Sequence, residues 1–203
     1  AHLHPWANPP FYGETSEFSS HVINLPLEQV EAKLTELNRV IAENIGCQPK
    51  SFRTGRWGIN GEVLKLIHAS GIETDTSIYP LYHHQYFSCE SAPSQQYWPD
   101  FTDTNKSSSQ RDIFEIPVTC GFNRTNYKFA QNLHKLMEKP PFSWLRINGI
   151  LWHSLILRKI YLCPEMCSSA DMVRLINSGL KRQDRVFHMY IHMKFLYCNS
   201  VIH

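Results

Sequence analysis

No stretch of this 203-residue sequence holds the ~18 consecutive apolar residues that a membrane-spanning helix needs, so no membrane span is expected. Charge of one sign is missing too. Twenty Lys and Arg stand against 18 Asp and Glu, a formal net charge of +2, which gives no field for gathering nucleic acid or an anionic membrane. Cysteine pairs at zinc-finger spacing are absent. Cys47, Cys89, Cys120, Cys163, Cys167 and Cys198 are scattered, and the one close pair, Cys163 and Cys167, has no second pair to match it. In a chain this long they read as reduced, buried thiols, which favours the cytoplasm over secretion. The first residues show no signal-peptide pattern, and no strand is expected within the sequence ahead of His2. The expectation is a piece of a larger domain, cut just upstream of its own site. What the sequence does hold is globular. Forty-two percent of residues are apolar and 19% charged, enough for one sizeable core. Eleven histidines keep metal or acid–base chemistry in play.

The opening residues, Ala1-His2-Leu3-His4-Pro5-Trp6-Ala7-Asn8-Pro9-Pro10-Phe11, carry the most chemistry. Histidines spaced i, i+2 point the same way from an extended backbone. Pro5, Pro9 and Pro10 exclude helix and stiffen the loop, and Trp6 and Phe11 offer apolar anchors. Two imidazoles at a strand's end suit a divalent metal, although the same spacing also describes two ordinary surface histidines.

Further along, helical spacing of Leu27, Val30, Leu34, Leu37, Ile41 and Ile45 predicts an amphipathic helix over residues 26–45, ended by Gly46 and Pro49. Ser51-Phe52-Arg53 reads as a strand, Asn60 caps a helix with Val63, Leu64 and Ile67 inside, and Ile72-Glu73-Thr74-Asp75 reads as the next strand. Strand, helix, strand is a βαβ unit. Residues 79–111, rich in aromatics and prolines, form either a lid or substrate wall, or a loop satisfied by its own packing. Residues 113–118 look strand-like. Helices are expected over 126–139 and 143–160, the second nearly apolar all round (Leu145, Ile150, Leu151, Leu155, Ile156) and so buried. Ser168 opens another helix with Met172, Leu175 and Ile176 inward, and 185–192 is expected to be a central last strand. No repeat or boundary is visible, and residues 1–203 read as one domain. The alternation predicts an α/β fold, a distorted, incomplete (β/α) barrel of parallel strands with its N-terminal strand missing.

His2, His4, Arg53, Asp75 and His192 all fall at predicted strand ends. In parallel α/β folds the carboxyl ends of the strands form the active face. Here a resemblance becomes specific. The chain resembles the polysaccharide deacetylase family, the NodB-homology carbohydrate esterases. The likeness lies in residues 2–11, Asn24-Leu25-Pro26-Leu27-Glu28, Phe52-Arg53-Thr54-Gly55-Arg56-Trp57-Gly58, Asp75-Thr76-Ser77, Glu115-Ile116-Pro117-Val118, Pro164-Glu165-Met166-Cys167-Ser168-Ser169 and Phe187-His188-Met189-Tyr190-Ile191-His192. These run in family order over about nine-tenths of the chain.

The resemblance implies a metal-dependent hydrolase removing N- or O-acetyl groups from a polysaccharide or lipid-linked glycan. It makes His2 the first metal ligand; the usual second comes four residues later, where this chain offers His4 instead. The metal implied is divalent, zinc first, with cobalt, nickel and manganese as alternatives. Arg53 matches the arginine that orients the catalytic aspartate. Asp75 matches the acid paired with the general-acid histidine, and His192 matches that histidine. The first motif, with its aspartates, has no match, and Met193 stands where serine is common. Trp6, Trp57 and Arg56 are the candidate sugar-binding side chains, by flat faces and a cation. Two rivals stand beside this reading. One is an amidohydrolase-type metallohydrolase, which also carries His-x-His at a first strand's end but needs later histidine ligands that are not evident here. The other is an inactive deacetylase-like domain, truncated or only binding glycan.

Overall fold

In the computed structural model, which describes residues 1–124, 126–154 and 156–192, short strands alternate with helices from the start. The order is β1 (His2–Leu3), α1 (Leu27–Ile45), β2 (Ser51–Thr54), α2 (Gly61–Ala69), β3 (Thr74–Asp75), β4 (His83–His84), β5 (Phe87–Ser88), β6 (Phe114–Glu115), β7 (Cys120–Phe122), α3 (Tyr127–Met137), α4 (Ile147–His153), β8 (Lys159–Tyr161) and α5 (Ser169–Lys181). The chain divides into two units, Ala1–Pro117 and Val118–His203. Each is taken by itself.

The first unit is mixed α/β. Its sheet runs β1-β2-β3-β6 with every neighbouring pair parallel. The register sets His2 opposite Arg53, Phe52 opposite Asp75, and Asp75 opposite Glu115. The expected βαβ unit is β2-α2-β3. Asn60 caps α2 by accepting the Val63 N–H at 3.0 Å, and Val63, Leu64 and Ile67 are buried as predicted. On α1, Val30 and Leu34 are buried, while the two ends of the predicted stripe, Leu27 and Ile45, face solvent. Gly46 closes α1 in the left-handed region (φ +81) and returns its N–H to the Ala42 carbonyl at 2.8 Å. These faces meet Leu3, Phe52, Ile72 and Ile113 in one core. Each such aliphatic or aromatic side chain stabilises the fold by about 1.5–3 kcal/mol.

Within residues 79–111 the aromatics pack on one another and on His21 and Trp57. β4 and β5 form an antiparallel hairpin, and Tyr79, Tyr82, His84 and Phe87 make ring contacts with one another. Tyr97 bridges back to Glu115 on β6.

The second unit departs from the sequence reading. β7 pairs antiparallel with β8, and neither strand was expected. The predicted helix over 143–160 is confined to α4, and its tail is β8 instead. Nor is it buried: Leu145 is 64% exposed, Ile150 58% and Ile156 51%. Apolar density there lacked a buried face, and the unit's core is built on Ile160, Leu162 and Leu175. Residues 185–192, expected to be a central strand, form no ladder. They are an extended, largely exposed segment pinned by Thr119 N–H to the His188 carbonyl at 3.0 Å and Tyr190 N–H to the Leu162 carbonyl at 3.3 Å. α5 is capped as expected by Ser168, whose Oγ accepts the Asp171 N–H at 3.2 Å. Leu155 and Met193 lie outside the described residues.

Candidate functional site

The carboxyl ends of β1, β2, β3 and β6 share one edge of the parallel sheet, and His4, Gly55, Asp75 and Glu115 stand there. His2 and Arg53, opposite each other in register, meet through their side chains. His2 Nδ1 lies 3.2 Å from both the Arg53 carbonyl and Arg53 Nε, and His2 Nε2 lies 3.3 Å from Arg53 Nη2. One residue therefore grips both sides of the ring. Burial first, then the Arg53 cation and then His4, hold His2 down to a pKa of about 4. It is neutral at physiological pH, the state in which an imidazole lone pair can be given to a ligand.

His4 packs edge-on against His2 at 4.6 Å between ring centroids and lies 4.3 Å from Trp6. The approach depends on Gly55. A Cβ there would sit 2.0 Å from His4 Nδ1, so only glycine lets the ring lie over β2. Arg53 also lies over the Trp57 ring at 5.1 Å. Trp57 stacks on Tyr79 at 4.7 Å and holds a left-handed backbone, φ +59, in the turn that ends with Gly58.

The loop after His4 is fixed from beneath by a residue the sequence reading passed over. Lys33 of α1 is 2% exposed and donates to the carbonyls of Pro5 at 3.0 Å, Asn8 at 2.7 Å and Pro10 at 2.6 Å. Its signal was available: residues 30, 33, 34 and 37 lie on one helical face, and a lysine in that apolar stripe calls for a buried acceptor. Burial holds its ammonium below the usual lysine range.

Two of the three predicted sugar-binding residues line one feature. Trp6 and Arg56, whose guanidinium lies 5.3 Å from the Trp6 ring centre, border an open cleft of about 530 Å³ together with Thr15, Ser16, Glu17 and Ser20. Trp57 is instead engaged with Tyr79 and Arg53.

Asp75 is fully buried. It accepts Ser77 Oγ–H at 2.7 Å and Ser77 N–H at 3.1 Å, and its side chain also meets Glu115. Burial pushes Asp75 up against the pull of those bonds. In the second unit, His192 is held by Glu165, which takes the imidazole Nδ1 at 2.6 Å and the backbone N–H with its other oxygen. Asp75 and His192 belong to different units, and the carboxylates in contact with each are Glu115 and Glu165.

His2 and His4 supply two imidazole donors. Among the described residues no group of three or more His, Cys, Asp or Glu side chains is placed to hold an ion, and catalytic zinc takes three protein ligands. The residues present thus fit part of a metal site, and Arg53 occupies the His2 lone pair that an ion would use. A second imidazole pair, buried His21 against His84 at 4.7 Å, has rings only 32° from parallel. The chain matches no protein-family model, no curated protein and no solved structure. Among the described residues, no helix is long and apolar enough to cross a membrane.

Proposed function

We propose that this chain is a polysaccharide deacetylase-type hydrolase domain, a distorted, incomplete (β/α) barrel that removes N- or O-acetyl groups from a polysaccharide or lipid-linked glycan. The observation that carries the reading is the convergence of His2, His4 and Arg53 at the carboxyl ends of adjacent parallel strands, with Asp75 ending the next strand. Sheet neighbours that follow one another along the chain support the barrel. A divalent ion, zinc before cobalt, nickel or manganese, would supply polarisation of the acetyl carbonyl and a water of lowered pKa. His2 and His4 would be its imidazole donors. The resemblance makes His192 the group that would protonate the departing amine, and Trp6 and Arg56 would hold the sugar at the cleft's edge. Among the described residues, Cys47, Cys89, Cys163 and Cys167 are free thiols, which supports a cytoplasmic setting.

A binding-only domain is the second reading, favoured by the two-imidazole donor set. The test is acetate release from N-acetylated oligosaccharides with zinc or cobalt present. It is run on the chain and on a longer form carrying the aspartate strand that the resemblance implies. Metal-dependent release that disappears in His2→Ala supports the hydrolase. Glycan binding with no release from either form supports the binding-only domain, and neither binding nor release removes both.

A further inference from the structure

Asp75 and Glu115 are the last residues of β3 and β6 and lie opposite each other in parallel register. Both are 0% exposed, and their side chains are in hydrogen-bonding contact. The titratable groups that interact with them among the described residues are Cys89 and Tyr97, neither of them a cation. Two adjoining carboxylates, stripped of water and with no positive partner, repel each other and lose their solvation together. One proton between them removes most of that cost.

The donors decide where the proton sits. Asp75 accepts Ser77 Oγ–H at 2.7 Å, Ser77 N–H at 3.1 Å and the Thr76 backbone N–H, and these stabilise a charged carboxylate. Glu115 receives one, Ile78 N–H on Oε1 at 3.2 Å. Its Oε2 is buried and accepts from no donor among the described residues. A bare buried carboxylate oxygen is costly, whereas a protonated one becomes the missing donor to Asp75. We propose that Asp75 and Glu115 share a single buried proton, carried on Glu115 Oε2 and donated to the Asp75 carboxylate, so that Glu115 is the positioning residue for Asp75. Burial and the Asp75 charge both act in that direction, raising Glu115 well above the ordinary glutamate value of 4.5. The proposal is independent of the hydrolase reading.

The consequence is a measurable proton linkage. Below pH 4.5 the glutamate is protonated both folded and unfolded, so the pair's contribution does not vary there. Above it the unfolded chain releases the proton while the folded chain keeps it, so this contribution falls as pH rises, tenfold in the folding constant per pH unit, until the folded pKa is passed. Glu115→Gln keeps a donor toward Asp75 and cannot titrate. Denaturant titrations from pH 5 to 9 should show the wild type losing ground to E115Q at that slope; parallel pH profiles would overturn the proposal. A second measurement needs no variant. Infrared spectra at neutral pH should contain the carbonyl band of a buried carboxylic acid that shifts on ¹³C-glutamate labelling. No such band, or one that shifts with labelled aspartate instead, also overturns it.

Discussion

Replacing Lys33 by methionine tests how the opening loop is held. The methionine fills the aliphatic volume of the lysine stem but donates nothing, so the carbonyls of Pro5, Asn8 and Pro10 lose their common partner. A charge-assisted hydrogen bond contributes about 1.5–3 kcal/mol. The bond to Pro5 is fully buried and belongs at the upper end, while the other two are partly open and their carbonyls can rehydrate. Against this, the variant no longer buries an ammonium, which returns several kcal/mol of desolvation. The contacts of Lys33 with the Phe11 and Tyr12 rings, at 5.4 and 5.5 Å, are lost as well. The net loss is on the order of 2–3 kcal/mol. It should appear as a lower denaturation midpoint at unchanged slope for the first unit, and as faster amide exchange confined to residues 4–12. A midpoint within ~0.5 kcal/mol of the wild type, the range of an ordinary surface substitution, would refute the reasoning. So would loop amides that exchange no faster than before.

Three further outcomes are expected. Gly55→Ala should move the His4 ring, because its Cβ starts 2.0 Å from Nδ1; the expected loss is about 1–3 kcal/mol of overpacking, and an unshifted His4 imidazole resonance would count against it. His2, held at about 4 from an ordinary 6.5, stays neutral in the fold while the unfolded chain takes up a proton. The wild type should therefore lose roughly 2–3 kcal/mol as pH falls from 6.5 to 4, allowing for partial exposure. In a chemical-denaturation series His2→Ala should lose none of it, and equal losses in both proteins would remove the assignment. In the second unit, Asp171 accepts from Arg158 at 2.8 Å, Arg174 at 3.0 Å and Ser168 at 2.9 Å, and its pKa is lowered. Asp171→Asn should cost about 1.5–3 kcal/mol above pH 4, with the deficit shrinking as acid protonates the wild-type carboxyl; a deficit that persists at pH 2 would contradict it.

What could be read from the sequence tracks how local its cause is. The unit β2-α2-β3 was legible because each boundary has its own chemistry: Asn60 accepting the Val63 N–H, an apolar triplet at helical spacing, and Gly71 in the left-handed region. The second unit was misread where density of apolar residues stood in for periodicity. Leu145, Ile150 and Ile156 are exposed, and the strand at Lys159–Tyr161 exists because it pairs with Cys120–Phe122 nearly forty residues earlier. No local pattern announces such a pairing. Glu115 was seen only as part of a matching motif. An acid in the middle of Ile113-Phe114-Glu115-Ile116 already demands a buried partner, but register with Asp75 had to be known to say which.

The rim follows a similar division. That His2 and His4 share a strand end could be read from their spacing, whereas the company they keep could not. Arg53 reaches His2 because β1 and β2 are parallel neighbours in one register, and the same guanidinium lies over Trp57. Trp57 is turned there by a left-handed backbone, which costs on the order of 1–3 kcal/mol in a non-glycine residue and persists only where its surroundings hold it. Its stack on Tyr79 helps do so. Gly55 beneath His4 and Gly58 beneath Phe87 complete the turn, since a Cβ at either would strike a ring. Thr54-Gly55-Arg56-Trp57-Gly58 is therefore more than a turn between elements. Its two glycines set how closely the rings of His4 and Phe87 lie against the backbone after β2, and its tryptophan sets where the Arg53 cation rests. A divalent ion proposed for His2 would have to compete with that cation, so the turn would tune metal affinity there without contributing a ligand.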